Sequence, residues 1–193
     1  MHSRRGLATR PDPNDDARLI TRIAGRDRRA FDDLYRRYHP RLTRFLINLV
    51  RRPQLVEEVL NDTMLVVWNR PDGYNGASKV STWILAIAYR KAQNALRRLD
   101  EPMADKHAET RASAEAGPEQ DLGRRQIQEV LLTAINHLSA DHRAVVDLTY
   151  FHELKYGEIA EIMGCPVDTV KTRMFHARRH MRRAMTGRLS DWL

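Results

Sequence analysis

Several features are scarce in this chain of 193 residues, and each shortage excludes a class of protein. A single cysteine, Cys165, rules out an internal disulfide and a cysteine-based zinc cluster. No stretch approaches the roughly 20 apolar residues of a membrane-spanning helix. The arginines near the start have no apolar run behind them, as a secretory signal would require. These shortages predict a soluble, cytoplasmic protein that does not insert into a membrane.

Large aliphatic residues and alternating patterns are also few. Leu, Ile, Val and Phe total 44 residues, so the core must be small. No run alternates between apolar and polar residues for long enough to form a strand. Apolar residues instead recur every three to four positions over residues 31–49 and 56–67. The pattern predicts an all-α chain in which Pro40 kinks or divides one helix and Ser81 or Thr82 caps another.

Positive charge dominates, but it is unevenly distributed. The net charge is +8: residues 1–99 carry 20 basic and 10 acidic side chains, residues 100–121 carry 2 and 7, and residues 122–193 carry 11 and 8. The acidic segment has almost no bulky apolar residue, which favours a flexible linker. We therefore predict two small helical domains, 14–99 and 122–186, joined by the linker 100–121. The linker is either a plain spacer or a phosphate mimic within a basic channel.

A helix, a glycine turn and a second helix follow one another near the end of the chain. An apolar helical face is expected over residues 127–138, and Ser139 is a favourable N-cap for the next helix, with apolar residues from Val145 to Phe151. A short helix then stops at Gly164, and a final helix covers about residues 167–183. This order predicts a helix-turn-helix in the C-terminal domain.

The final helix carries a one-sided positive charge. Seven Lys and Arg residues and no acidic residue lie between Thr169 and Ser190. Lys171 can donate to guanine, Thr172 can bond a base or a phosphate, and Phe175 can pack on a thymine methyl group. The alternative is a solvated cationic helix. Helical spacing buries Val170, Met174, Ala177 and Met181 and turns outward Lys171, Thr172, Phe175, His176, Arg178, Arg179 and Arg182.

Two polar groups suggest metal chemistry, but each is incomplete or ambiguous. His176 and His180 are spaced to share a metal, yet no carboxylate or thiolate nearby completes the set. Glu57, Glu58 and Asp62 fit a two-metal nuclease, a solvated face or a surface for docking a partner. The chain also has no glycine-rich phosphate loop. We therefore predict no metal site, no cofactor and no catalytic residue.

Aromatic residues lie among positive charges around a loop at residues 69–80. Tyr74 and Trp83 flank this Gly- and Asn-rich segment, with Lys79 and Arg90 nearby. Such a mixture suits stacking on unpaired bases, and it suits simple packing equally well. Trp68, at the end of an apolar stripe, is expected to belong to the core.

Three segments, in this order, resemble the extracytoplasmic-function sigma factors of bacterial RNA polymerase. They are LVEEVLNDTMLVVW at 55–68, STWILAIAYRKAQNALRR at 81–98 and LKYGEIAEIMGCPVDTVKTRMFHARRHMRR at 154–183. The resemblance covers nearly all of residues 25–185. It implies a factor that binds core polymerase, recognises the −35 and −10 promoter elements and promotes DNA melting.

The resemblance also implies site residues and partners. Contacts to the −35 element fall to Lys171, Thr172, Arg173, Phe175, His176, Arg178 and Arg179. Contacts to the −10 element fall to Tyr74, Asn75, Lys79, Thr82, Trp83, Tyr89, Arg90 and Arg97. Contacts to the clamp of the largest polymerase subunit fall to Glu57, Glu58, Asn61 and Asp62. Further implied partners are the flap of the second-largest subunit and an anti-sigma factor, and the free protein is expected to be a monomer.

The chain departs from the family pattern at several of these positions. Asn61 replaces a glutamine, Arg90 an asparagine, Asp168 a glycine, Thr172 a serine and His176 an arginine. These changes predict a promoter preference that differs from that of relatives. The main alternative is a helix-turn-helix regulator that acts without polymerase, for which a symmetric dimer would be typical. No evident dimerisation stripe supports that alternative.

Overall fold

The structure is a computed structural model that describes residues 13–100, 133–135 and 137–189. We call residues 13–100 the N-terminal lobe and residues 133–189 the C-terminal lobe. Asp100, predicted as the first residue of the linker 100–121, is helical, and the rest of the predicted linker and most of the predicted helix at 127–138 lie outside the described residues. The helices are α1 Pro13–Ala24, α2 Arg28–Val50, α3 Pro53–Asn69, a short 3₁₀ helix Pro71–Gly73, α4 Val80–Asp100, α5 Ala140–Tyr150, α6 Tyr156–Met163 and α7 Val167–Leu189.

Local signals set the boundaries of the helices in the N-terminal lobe. The side chain of Asp27 accepts hydrogen bonds from the backbone N–H groups of Arg29 and Ala30 and so caps α2. Arg51 adopts a left-handed conformation (φ +59°) that ends α2, and Pro53 then opens α3. α4 begins at Val80, so Ser81 and Thr82 lie within its first turn and the prediction that either caps it was wrong.

The helix α2 is continuous through Pro40, so the predicted division of this helix does not occur. Proline removes the hydrogen bond to the carbonyl four residues earlier, which belongs to Arg36. Both Pro40 and Arg36 are exposed, and water can therefore satisfy that carbonyl. The apolar stripe on the opposite face keeps its contacts with the core over the whole helix.

The N-terminal lobe is built around α2. Its apolar face packs against α1 and α3, and α4 packs against α3 and α2. The fully buried side chains come from every one of these helices, which is why a chain with few aliphatic residues still forms a closed core. The largest of them are Ile23, Leu34, Leu42, Phe45, Leu46, Leu49, Leu60, Met64, Ile84 and Leu85.

The C-terminal lobe contains the predicted helix-turn-helix. Ser139 caps α5 by accepting a hydrogen bond from the N–H of His142, as expected. Gly164 ends α6 with a left-handed φ of +62°, which L-residues with a Cβ rarely adopt. Phe151 was predicted to be apolar core but is 54% exposed, because α5 ends at Tyr150 and Phe151 follows its last turn.

The two lobes pack against each other. α2 contacts α5, α4 contacts α6, and the buried apolar residues of both lobes form one continuous cluster. The described residues are helical or irregular and contain no strand, so the predictions of an all-α fold and of a helix-turn-helix are confirmed. In the described part of the chain, none of the helices has the length and apolarity needed to cross a bilayer.

Candidate nucleic-acid interface

The last helix, α7, separates an apolar side from a basic side. Val170, Met174 and Ala177 are buried against α5 and α6, and Met181 is partly buried, as the spacing predicted. Phe175 is 60% exposed although it is a large aromatic residue. The exposed side chains of this face, which we call the α7 outer face, are Lys171, Thr172, Phe175, His176, Arg178 and Arg179.

Most side chains of the α7 outer face have only local partners. The ammonium group of Lys171 donates to Asp168 at 2.9 Å, and the Thr172 hydroxyl donates to the Asp168 carbonyl at 2.9 Å. The Arg178 guanidinium lies over the ring of Tyr150 and donates to its hydroxyl at 2.9 Å. Contacts of this kind between exposed groups are weak, so a polyanion can replace them.

Arg173 differs from its neighbours on α7, because its side chain is largely buried and paired within the C-terminal lobe. Its guanidinium forms an ion pair with Asp141 at 2.5 Å, and it lies 3.6 Å from the sulfur of Cys165. It is about three-quarters buried as a side chain. Arg173 and Lys171 are therefore the two predicted −35 residues that pair with a carboxylate within the described structure, and Arg173 is the more buried of the two.

The loop that precedes α4 brings together four of the predicted −10 residues. The rings of Tyr74 and Trp83 lie 5.6 Å apart and tilted, and both are half-buried. The hydroxyl of Tyr74 donates to the carbonyl of Ser78, which closes the loop. Asn75 is exposed at the tip, and Lys79 lies at the base of the loop. The aromatic pair thus packs together while leaving part of each ring open to solvent.

The remaining predicted −10 residues do not form one surface. Thr82 and Tyr89 are buried, whereas Arg90 and Arg97 are exposed on α4. Burial and a hydrogen bond to Asp141 raise the pKa of the Tyr89 hydroxyl well above its usual value. Helical spacing within α4 does not reveal the contact with Asp141, because Asp141 belongs to the C-terminal lobe.

The predicted clamp-binding residues lie along α3. Glu57, Glu58 and Asn61 are exposed, and Asp62 is half-buried. Asp62 accepts from Lys91 at 3.1 Å, and Glu58 lies 3.9 Å from Arg98, so both face cations of α4. Among the described residues, no group of three or more His, Cys, Asp or Glu side chains is arranged to hold a metal.

An apolar groove beside this acidic row was not predicted. It has a volume of about 480 Å³ and is lined in part by Phe31, Tyr35, Leu65 and Trp68. Leu65 is 55% exposed, and Trp68, which was expected in the core, is only partly buried and contacts Phe31 edge-on at 5.3 Å. Glu58, Asn61 and Leu65 are three and four residues apart, so Leu65 lies on the acidic face of α3. This spacing could have predicted an exposed apolar side chain beside the acidic row from the sequence.

Two protein families match this chain, one in each lobe. The family described as Sigma-70 region 2 matches residues 34–101, and the family described as Sigma-70, region 4 matches residues 128–181. The first match contains α3, the loop and α4. The second contains the helix-turn-helix and most of α7.

Similar curated proteins extend the match over most of the chain. The RNA polymerase sigma-H factor of Pseudomonas aeruginosa is 29% identical over 91% of this chain and 96% of that protein. The RNA polymerase sigma factor YlaC of Bacillus subtilis is 30% identical over 82% and 94%. The ECF RNA polymerase sigma-E factor of Escherichia coli is 30% identical over 84% and 90%.

Two solved structures share the fold. One is CnrH in complex with the cytosolic domain of CnrY, with a TM-score of 0.65 and 20% identity over 90% of this chain and 98% of that chain. The other is the sigma factor RpoE of Bartonella quintana in complex with the anti-sigma factor NepR, with a TM-score of 0.62 and 23% identity over 80% and 97%. At these identities the likeness concerns the fold alone.

Proposed function

Because the chain belongs to the extracytoplasmic-function family of RNA polymerase sigma factors, we propose that its lobes divide the work of promoter recognition between them. The protein binds core RNA polymerase, recognises the −35 and −10 promoter elements and promotes DNA melting to initiate transcription. Sigma factors are not themselves catalysts, and we infer that this chain supplies no catalytic group. It acts where transcription takes place, in the cytoplasm.

The α7 outer face is assigned to the −35 element. The observation that carries this assignment is the run from Thr169 to Ser190, which holds seven basic residues and no acidic one, directly after the Gly164 turn. A major groove admits one helix, with early residues at base edges and later basic residues along phosphates. Lys171, Thr172 and Phe175 stand in the first half of α7, and Arg178 and Arg179 lie about two turns beyond Lys171.

The loop at residues 70–79 and the exposed side of α4 are assigned to the −10 element. A half-open pair of aromatic rings beside cationic side chains suits an unpaired base, because every base offers a face for stacking. Tyr74 and Trp83 provide the rings, and Arg90 and Arg97 provide exposed positive charge. Thr82 and Tyr89 are buried, so they contact DNA only after the segments that cover them have moved.

The acidic row of α3 and the groove beside it are assigned to the clamp of the largest polymerase subunit. An open apolar groove bordered by exposed carboxylates has the layout of a protein interface, in which a centre poor in charge carries the aromatic anchors and a polar rim surrounds it. The groove is lined by Phe31, Tyr35, Leu65 and Trp68. We further propose that the C-terminal lobe meets the flap of the second-largest subunit, and that an anti-sigma factor restrains the protein by covering these surfaces.

A run-off transcription assay with core polymerase tests the proposal directly. We expect promoter-specific transcripts only when the chain is added. The variant Glu57→Lys reverses an exposed charge on α3 and should abolish co-elution with core polymerase in gel filtration. Glu161→Lys makes the same change on the exposed side of α6 and should leave co-elution intact. Tight binding of duplex DNA by a symmetric dimer, with no response from core polymerase, would instead identify a stand-alone regulator.

A further inference from the structure

Tyr150 is an exposed aromatic residue outside the surfaces assigned to the two promoter elements. It is the last residue of α5, and it is 54% exposed. Helix α5 packs against α7, and the hydroxyl of Tyr150 reaches the side chain of Arg178 on that helix. Tyr150 therefore lies beside the α7 outer face without being part of α7.

The hydroxyl of Tyr150 is bonded to Arg178 through two donors. The Nε and Nη2 groups of Arg178 both donate to it, at 3.2 Å and 2.9 Å. The guanidinium carbon lies 5.9 Å from the ring centroid, near the limit of about 6 Å for cation–π attraction. The hydroxyl is thus the main contact, and its two bonds fix which edge of the guanidinium faces α5.

The bonds to Tyr150 leave the other edge of the guanidinium open. They use the N–H of Nε and one N–H of Nη2, so both N–H groups of Nη1 and the second N–H of Nη2 remain. Donors arranged in this way form paired bonds with a phosphate. In the described part of the chain no carboxylate pairs with Arg178. A phosphate can therefore bind Arg178 while the bonds to Tyr150 stay in place.

Arg179, the next residue along α7, is not held in this way. It is exposed, and it forms no hydrogen bond or ion pair with any residue that the structure describes. A long side chain in this state samples many rotamers, and a ligand that binds it must order it at a cost in entropy. For Arg178 part of this cost is already met in the free protein. The two adjacent arginines carry the same charge but differ in how far they are ordered in advance.

From this contact we propose that Tyr150 is a positioning residue for Arg178, which it presents to one phosphate of the −35 element. The inference rests on the proposed function, because it uses the assignment of the α7 outer face to that element. Phosphate contacts fix the position of a protein on DNA but carry no direct base information. Tyr150 thus acts on the affinity for the −35 duplex and leaves the preference among bases unchanged.

The first experiment measures the binding of −35 duplexes to the full-length chain assembled with core polymerase, by fluorescence anisotropy. Tyr150→Phe keeps the ring and removes the hydroxyl. It should weaken binding by about three- to tenfold, the factor expected when one long side chain is no longer ordered in advance. The loss should be the same on every duplex of a panel with substituted bases. A loss confined to one base substitution would overturn the proposal.

Tyr156→Phe is the matched control for the loss of a hydroxyl. Tyr156 is the first residue of α6, belongs to the same lobe and is partly buried against the core. Its substitution should change binding to the same duplexes by less than about twofold. Equal losses for Tyr156→Phe and Tyr150→Phe would show a general effect on the lobe and count against a specific role of Tyr150.

A double-mutant cycle separates positioning from a direct contact with DNA. Arg178→Ala should weaken binding and make Tyr150→Phe nearly silent, because no guanidinium remains to be positioned. In an Arg179→Ala background, Tyr150→Phe should keep its full effect, because Arg179 does not contact Tyr150. A full effect in both backgrounds would identify Tyr150 as a DNA contact of its own and reject the positioning role.

A series of duplexes, each with one uncharged methylphosphonate linkage, locates the phosphate. At one linkage the parent chain should lose affinity, and on that duplex Tyr150→Phe should cause no further loss. If Tyr150→Phe weakens binding by the same factor on every duplex of the series, Arg178 and Tyr150 do not act through a single phosphate, and the proposal fails.

Stability and assembly are measured on the same variants. Tyr150→Phe should leave the thermal midpoint and co-elution with core polymerase unchanged, and a loss of co-elution would make Tyr150 a polymerase contact instead. If the midpoint falls, Arg178→Lys takes its place: it keeps the charge, lacks the paired donors and should weaken binding as Tyr150→Phe was expected to, so unchanged affinity would reject the proposal. An active parent chain in run-off transcription with an unresponsive Tyr150→Phe rejects the positioning role alone, whereas an inactive parent rejects the proposed function.

Discussion

The substitution Lys171→Ala separates the reading of bases from general attraction to DNA. The Lys171 side chain is exposed, and within the described structure its recorded partner is Asp168, whose side chain is 89% exposed. Removing it should therefore change the free energy of unfolding by no more than about 0.5 kcal/mol. A good contact to a guanine edge contributes about 1–3 kcal/mol of discrimination, which corresponds to a loss of roughly 5- to 150-fold in affinity for the preferred −35 sequence.

The assay is fluorescence anisotropy with a panel of −35 duplexes at several salt concentrations. Lys171→Ala should weaken binding to the preferred duplex and leave the substituted duplexes nearly unchanged, so that discrimination falls at one position. Arg179→Ala, two turns further along α7, should weaken binding to all duplexes alike. It should also reduce the slope of log affinity against log salt concentration by about 1, the value expected for the loss of one phosphate contact. Equal losses on every duplex for Lys171→Ala would refute its role in reading bases and leave it as a phosphate contact.

Three further predictions concern stability. Leu60→Ala should lower the free energy of unfolding by about 2–5 kcal/mol in a urea titration, whereas Leu65→Ala on the same helix should have little effect, because Leu60 is fully buried and Leu65 is 55% exposed. Arg143→Ala should cost about 2–4 kcal/mol by the same measurement, because it removes the donors to two carbonyls in the last turn of α2; an unchanged midpoint would show that water replaces them. Burial, together with the nearby His176, lowers the pKa of His142 below its usual 6.5. As the pH falls, His142 therefore takes up a proton in the unfolded chain before it does so in the folded protein. The contribution of His142 to the free energy of unfolding is complete above about pH 6.5 and is lost as the pH falls through the lower pKa of the folded state. His142→Gln should remove this contribution and flatten that part of the pH profile of the thermal midpoint.

The local character of each helix was predictable from the sequence. The buried faces of α2, α3 and α7 follow the 3.6-residue period, and the Ser139 cap and the Gly164 turn act over only a few residues. The exposed positive face of α7 was predictable for the same reason. When the apolar stripe of a helix is buried, the side chains on its opposite side face solvent. Phe151 was misplaced because its helix stops one residue earlier, and period alone does not fix where a helix ends.

The candidate sites were predictable only in part. The acidic row of α3 and the aromatic pair at the −10 loop are local features, and the structure brings their members together. The groove beside α3 requires side chains from α2 and α3 at once, and spacing within one helix does not report such a pairing. Thr82 and Tyr89 lie in the interior for a similar reason, since burial depends on what another segment contributes.

The sequence by itself determined the all-helical composition, the helix-turn-helix and the basic face of α7, because each depends on residues within a few turns of one another. Only the tertiary structure decided which polar side chains from distant segments contact each other. Asp141 is 52 residues from Tyr89 along the chain, yet their oxygens lie 2.6 Å apart. Contacts at that separation depend on how the helices pack, and the pattern of any one helix is compatible with many packings.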